Sequence, residues 1–271
     1  MSLIFKYMHK KIPFYKYQGA GNDFILIDNR NASFDRKNEQ LVKKLCDRRF
    51  GIGADGLMLL QQAENYDFEM VYYNADGAEG TMCGNGGRCI VAFARDLGII
   101  SSTTDFLAVD GPHQASIDGN QVTLGMIEVH DFRKDGEAYI LNTGSPHYVQ
   151  FIKGLADYDV FQEGKKIRYS GAYGDKGINV NFIEKENNGY FLRTYERGVE
   201  DETFACGTGA TAAAMTVALH HNMEGDINIP IRVLGGQLYI SFHKKDKAFT
   251  DVFLKGPAKF VFAGEIDEAN L

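Results

Sequence analysis

Two cysteines stand in matching surroundings, and a thiol of tuned pKa can both give and take a proton. Cys83 opens the run C-G-N-G-G-R-C-I-V-A-F, and Cys206 opens C-G-T-G-A-T-A-A-A. After Cys83 the apolar residues Ile90, Val91, Phe93, Ala94 and Leu97 fall at helical spacing, which predicts a thiol at a helix N-terminus. Free backbone N–H groups and the helix dipole favour the thiolate there. The same kind of N–H group, from Gly84, Asn85, Gly207 and Thr208, suits a carboxylate. Inverting a carbon centre by proton transfer needs a base on one face and an acid on the other. Two like groups, one held as thiolate and one as thiol, meet that need in both directions. The developing carbanion needs pre-aligned donors in a water-poor cleft.

Such a cleft requires two similar units face to face, and counting along the chain supports a duplication. Cys206 minus Cys83 is 123, and Gly144 of T-G-S-P-H minus Gly21 of A-G-N-D-F is also 123. G-I-N-V-N (177–181) is expected to match G-I-G-A-D (51–55) at an offset of 126, as a small insertion gives. The expected fold is therefore α/β of the α+β type, with two pseudo-symmetric lobes and the active site between them. Each lobe is a mostly antiparallel, strand-rich layer or barrel wrapped around a central helix. No charged residue occurs from Phe204 through Leu219, so the second such helix belongs inside. A further helix is expected over 38–49. Strands are expected near 24–27, 57–60, 68–73, 106–109, 115–117 and 122–126, with D-G-N (118–120) as a hairpin turn. In the second half they are expected near 139–141, 147–151, 178–183, 190–195, 227–233, 237–242, 249–254 and 259–263. Residues 1–12 read as a frayed lead, with Met8 as an alternative start.

The 271 residues, 44% hydrophobic and 12% aromatic, are enough for two packed cores. A formal net charge of -7 leaves no basic face for nucleic acid. The opening M-S-L-I-F-K-Y is too short and interrupted for a signal peptide, and no later run has the length of a membrane span. A cytoplasmic location is expected, where four irregularly spaced cysteines (46, 83, 89, 206) stay as free thiols.

Other chemistries fit less well. Cys46 follows the apolar Leu45 and Cys89 begins the apolar face of its helix, so both read as buried small residues. Cys83 and Cys89 lack the spacing and partners of a zinc site, so no metal is expected. Neither G-N-G-G nor G-T-G-A carries the Lys-Ser/Thr of a phosphate-binding P-loop. His147 gains a functional reading because its turn matches A-G-N-D, whereas His220 and His221 read as helix-terminal cations or solvent residues. Arg88 stays open between pairing with a buried acid and a part in the chemistry. Asp23 and Asp55 stay open between bracing turns and touching substrate.

The segments Y-Q-G-A-G-N-D-F, F-G-I-G-A-D-G, N-A-D-G-A-E-x-x-M-C-G-N-G-G-R-C, T-G-S-P-H-Y-V, G-I-N-V-N-F and Y-E-R-G-x-x-x-E-T-F-A-C-G-T-G-A carry a resemblance. Together, from Tyr15 to Gly264, the chain resembles the diaminopimelate epimerases, of the cofactor-independent amino-acid racemase and epimerase superfamily. The resemblance implies interconversion of LL- and meso-2,6-diaminopimelate by Cys83 and Cys206, without pyridoxal phosphate or metal. It also implies a homodimer in a route to lysine and peptidoglycan. His147 resembles the histidine that assists the first cysteine, and Glu196 the glutamate that assists the second. Asn22, Asn74, Asn179 and Arg197 match substrate-binding positions, with the guanidinium suited to a distal carboxylate. Gly84, Asn85, Gly207 and Thr208 match the carboxylate-holding helix starts. The last strand, after Gly256, is expected to return to the first lobe, giving lobes of 1–128 plus 257–271 and of 129–256.

Two departures bear on substrate choice. Ser145 stands where the family usually has an asparagine that contacts substrate, and a hydroxyl cannot repeat both hydrogen bonds of an amide. The segment between Glu196 and Cys206 is one residue longer than the common form. Two alternatives remain beside the epimerase reading: a two-cysteine racemase for another amino acid, and a non-catalytic amino-acid-binding relative. Both cysteines together with His147, Glu196 and Arg197 argue against the second, since binding alone needs no paired acid and base.

Overall fold

Side chains alternate from Lys11 onward, with Ile12 and Phe14 buried and Lys11 and Pro13 exposed, so a strand begins inside the segment expected to be a lead. The computed structural model describes residues 11–80, 82–174 and 177–271; residues 1–10, Met8 among them, lie outside. The first half runs β1 (Lys11–Gly19), β2 (Asn22–Asp28), α1 (Glu39–Cys46), β3 (Gly56–Gln61), β4 (Glu69–Asn74) and α2 (Gly84–Asp96). It closes with β5 (Thr103–Ala108), β6 (Gly111–Asp118) and β7 (Gln121–Gly125). The second half opens with β8 (Phe132–Asp135), β9 (Ala138–Asn142), β10 (Pro146–Phe151), α3 (Val160–Arg168) and β11 (Asn179–Glu186). Then follow β12 (Gly189–Glu196), β13 (Asp201–Thr203), α4 (Gly207–His220), β14 (Gly225–Val233), β15 (Gly236–Lys245), β16 (Ala248–Pro257) and β17 (Lys259–Asp267).

The pairing pattern occurs twice. β1 and β2 are antiparallel, β2 and β3 parallel, β3 and β4 antiparallel, β4 and β5 parallel, and β5 to β7 form antiparallel hairpins. β9, β10, β11, β12, β14, β15 and β16 repeat that series in the same order. β17 crosses back to flank β1, as β8 flanks β9. The two lobes join where β7 and β16 pair, with Leu124 opposite Leu254.

Register makes the equivalence residue-specific. Phe24 pairs with Gly56 and Met58 with Tyr72; His147 pairs with Asn179 and Asn181 with Thr194. His147 minus Phe24, Asn179 minus Gly56 and Asn181 minus Met58 are all 123. This corrects the offset of 126: residues 177–181 lead into β11 and match 54–58, while 51–53 belong to the turn after α1. A strand facing a core on one side fixes register, because a slip would turn its apolar residues outward.

Each lobe wraps a buried helix. Around α2 pack Tyr17, Phe24, Met58, Phe106 and Leu124; around α4 pack Val149, Ile183, Leu192, Ile231 and Leu254. Each such side chain contributes about 1.5–3 kcal/mol on burial. α4 is buried nearly throughout, as its lack of charge requires. α1 is shorter than expected. The Asn38 side chain caps its start, and the Asp47 carboxylate accepts the Arg49 and Phe50 N–H groups at 2.8 Å each, turning the chain after Cys46.

Candidate active site

Cys83 and Cys206 are the residues immediately before α2 and α4, both in extended backbone conformation. That geometry lets first-turn N–H groups reach each sulfur: those of Asn85 and Gly86 for Cys83, that of Gly209 for Cys206. The two helix starts abut. A methyl on Gly84 would lie 3.4 Å from Gly207 Cα, and one on Gly207 would lie 3.2 Å from Gly84 Cα and 2.9 Å from Leu254 Cδ2. Glycine at both positions is what lets the helices meet end to end. Cys206 is buried and Cys83 partly accessible.

The helix starts were expected to lower the thiol pKa values, and the net direction is the reverse. Burial pushes both thiols up, each with a further push from Glu196. Backbone N–H groups, Thr208 beside Cys206 and Arg88 beside Cys83 pull the other way without overcoming the lost hydration.

Behind Cys206 lies a polar chain. Thr208 Oγ1 is 3.5 Å from Cys206 Sγ and 2.9 Å from His147 Nε2. Asn181 Nδ2 donates to His147 Nδ1 at 3.0 Å and to the Tyr148 carbonyl at 3.0 Å, and Thr194 donates to Asn181 Oδ1 at 2.9 Å. His147 is fully buried, and that burial, with Arg197 nearby, lowers its pKa to about 3. The imidazole is therefore neutral. The resemblance assigns His147 to the first cysteine; the hydrogen bonds run instead through Thr208 to the second.

Behind Cys83 the equivalent places hold Phe24, Met58 and Tyr72. The polar contacts on this side come from α2 itself. Asn85 donates to Asn22 Oδ1 at 2.6 Å and across the lobes to the Ala205 carbonyl at 2.8 Å, while Arg88 Nη2 donates to Asn85 Oδ1 at 2.9 Å. Arg88 is fully buried and also donates to the Gly84 and Pro257 carbonyls, so its partners are carbonyl oxygens and not the buried acid considered from sequence. Asn22 donates to Asp55, and Arg48 bridges Asp55 and Asp23, so both acids brace the start of β3 against β2. Asn74 stands exposed at the end of β4.

Ser145, Asn179 and Arg197 converge. Asn179 Nδ2 donates to Ser145 Oγ at 2.8 Å, Arg197 Nη2 lies 3.4 Å from the same oxygen, and Arg197 N donates to Asn179 Oδ1 at 2.9 Å. With its oxygen accepting, Ser145 keeps its own proton to donate. The longer segment after Glu196 folds back as β13 through Gly198 and Glu200, both at positive φ. Thr203 on β13 donates to Glu196 Oε2 at 2.9 Å, which anchors the carboxyl, and burial raises its pKa. Cys46 and Cys89 are buried, each with its pKa pushed up to about 12. His221 closes α4, at the opposite end of the helix from Cys206, with Nε2 3.0 Å from the Tyr190 hydroxyl.

Sequence reading passed over Asn181 and Thr194. The available signal was the spacing of two within β11, which puts Asn181 on the same face as Asn179.

Two similar lobes, each wrapped around a buried helix, define a class of fold, and it recurs in solved structures. It is similar to a Bacillus anthracis phenazine biosynthesis protein of the PhzF family (TM-score 0.77, 14% identity, 95% of this chain and 99% of that one). It is also similar to a hydroxyproline epimerase from Agrobacterium vitis (TM-score 0.73, 11% identity, 96% and 94%). Within that class the chain belongs to the diaminopimelate epimerase family, whose sequence model matches residues 14–127 and 139–261. A diaminopimelate epimerase from Flavobacterium psychrophilum is 54% identical over 250 residues, covering 92% of this chain and 97% of that one. One from Chlorobaculum tepidum is 42% identical over 258 residues, covering 92% and 98%. The chain is accordingly an isomerase of the epimerase type.

Proposed function

We propose that the chain interconverts LL- and meso-2,6-diaminopimelate by moving the α-proton between Cys83 and Cys206. The observation that carries this is the pair of thiols at abutting helix starts. One thiolate takes the α-proton and becomes a thiol, leaving its electron pair on carbon. The opposite thiol then protonates that carbon from the other face and becomes the thiolate. The substrate carboxylate lies against the N–H groups of Gly84, Asn85, Gly207 and Thr208, which stabilise the charge passing into it. Arg197, with Asn179 and the Ser145 hydroxyl, takes the distal carboxylate, and Asn22 and Asn74 complete the substrate contacts. Glu196 and His147 tune the thiols. The buried setting raises both thiol pKa values and so favours the protonated form at each; the exchange requires one of them to lose its proton before the α-proton is taken.

The lobes divide in this reading as 1–128 plus 257–271 and 129–256, which the β1–β17 pairing supports. A cytoplasmic setting, in a route to lysine, fits four free cysteines. A homodimer belongs to the same reading: β17 exposes Phe260, Val261 and Phe262 beside an edge that can pair with its own copy about a twofold axis.

Incubation with LL-diaminopimelate in deuterated water is expected to yield meso product labelled at one α-carbon. Absence of both product and label, together with turnover of another amino acid, would support a different substrate at the Ser145 site.

A further inference from the structure

Asn181 and Thr194 are buried, polar and outside the substrate contacts, yet their bonds determine where a proton sits two groups away. Asn181 donates through Nδ2 to both His147 Nδ1 and the Tyr148 carbonyl, and its Oδ1 accepts from Thr194. The reversed amide would set Oδ1 against that carbonyl, so the orientation is fixed. A donor on Nδ1 leaves the neutral imidazole its proton on Nε2. That N–H donates to Thr208 Oγ1, whose own proton is then free to point at Cys206 Sγ, 3.5 Å away.

We propose that Asn181, held by Thr194, is a positioning residue that selects the His147 tautomer and, through Thr208, aims a hydroxyl donor at Cys206. This rests on the two-thiol reading and adds to it a mechanism confined to one thiol. The approach is built into α4. A methyl on Gly209 would lie 2.5 Å from Asn181 Oδ1, whereas one on the equivalent Gly86 would meet the Met58 thioether at 3.1 Å. Among the described residues, Phe24, Met58 and Tyr72 form no such relay behind Cys83. The charged or titratable groups facing this chain are Arg197 at His147, and Glu196 and Cys83 at Cys206. A hydroxyl donor favours the Cys206 thiolate against the push from Glu196, so that either sulfur can serve as base.

The test combines nitrogen-15 NMR of the histidine ring with site-resolved alkylation of the full chain by iodoacetamide across pH. In the parent chain His147 is expected to carry its proton on Nε2. Asn181→Asp, which accepts where the amide donated, is expected to move that proton to Nδ1 and slow alkylation at Cys206 about tenfold. Thr194→Val, which adds no charge, is expected to give mixed tautomers and slow Cys206 about threefold. Cys83 should change less than about twofold in Thr194→Val. A parent His147 protonated on Nδ1, or equal slowing at both thiols, or no change in Thr194→Val, would overturn the proposal. Neither readout needs turnover, so a failure of the substrate assignment is read separately in the deuterium experiment.

Discussion

Cys83 and Cys206 occupy equivalent places before equivalent helices, and the side chains behind them differ in kind. Cys83 is backed by Phe24, Met58 and Tyr72, with the buried Arg88 guanidinium on its own helix. Cys206 is backed by His147, Asn181 and Thr194, and the place of Arg88 on α4 is taken by Thr211, which bonds the Gly207 carbonyl at 3.0 Å. The backbone donors are thus duplicated while the electrostatics are not. A buried guanidinium lies near one sulfur and a neutral relay near the other, while the Glu196 carboxyl pushes both thiols up. Duplication supplied two like helix starts, and divergence behind them makes the surroundings of the two thiols differ.

The comparison is broken most severely at the thiols. Cys83→Ala and Cys206→Ala are each expected to lower epimerisation about a thousandfold, measured as LL-to-meso conversion; a mild effect in either would reduce the site to one working face. Next come the glycines behind each sulfur. Gly209→Ala crowds Asn181 Oδ1 at 2.5 Å and Cys206 Sγ at 3.3 Å and is expected to cost about a hundredfold in kcat/KM. Gly86→Ala meets a flexible thioether and is expected to cost about threefold. Equal losses at the two would erase the asymmetry. Arg88→Met is expected to slow alkylation of Cys83 about tenfold and to cost about 1–3 kcal/mol in denaturant unfolding, since Asn85 and two carbonyls lose a donor.

His147 also predicts a pH dependence that Phe24 cannot give. Its folded pKa is about 3 against an ordinary 6.5, so the unfolded chain takes up the proton first. The stability it contributes is complete above 6.5 and is lost as pH falls toward 3. Replacing it with the residue of the other lobe, His147→Phe, should flatten that part of the curve in thermal unfolding. The smallest effect is expected at Cys46→Ala, with unchanged turnover and about 1–2 kcal/mol lost from the core beside Leu45.

Much of this frame was legible in the chain. Cys83 and Cys206 announce themselves because glycine-bearing helix starts are short local patterns, and their common offset with Gly21 and Gly144 exposes the duplication. The Met58–Asn181 equivalence was hidden because only strand register reveals it; similar-looking glycine turns at 51–55 and 177–181 pointed to the wrong offset. α3 was not among the expected elements; its Gly164 is what lets it touch Tyr195, where a methyl would lie 2.4 Å from Tyr195 Cβ. β13 has three residues and owes its place to β12. The thiol pKa values depend on burial, which no local pattern measures, so the dipole argument gave the wrong sign for the free protein.

Face-resolved exchange tests the central claim most directly. In deuterated water, Cys206→Ala retains only Cys83 and should wash deuterium into one stereoisomer of diaminopimelate without inverting it, while Cys83→Ala should label only the other. Labelling of the same stereoisomer by both variants, or inversion by either one as fast as its labelling, would contradict a site in which each thiol serves its own face of the α-carbon.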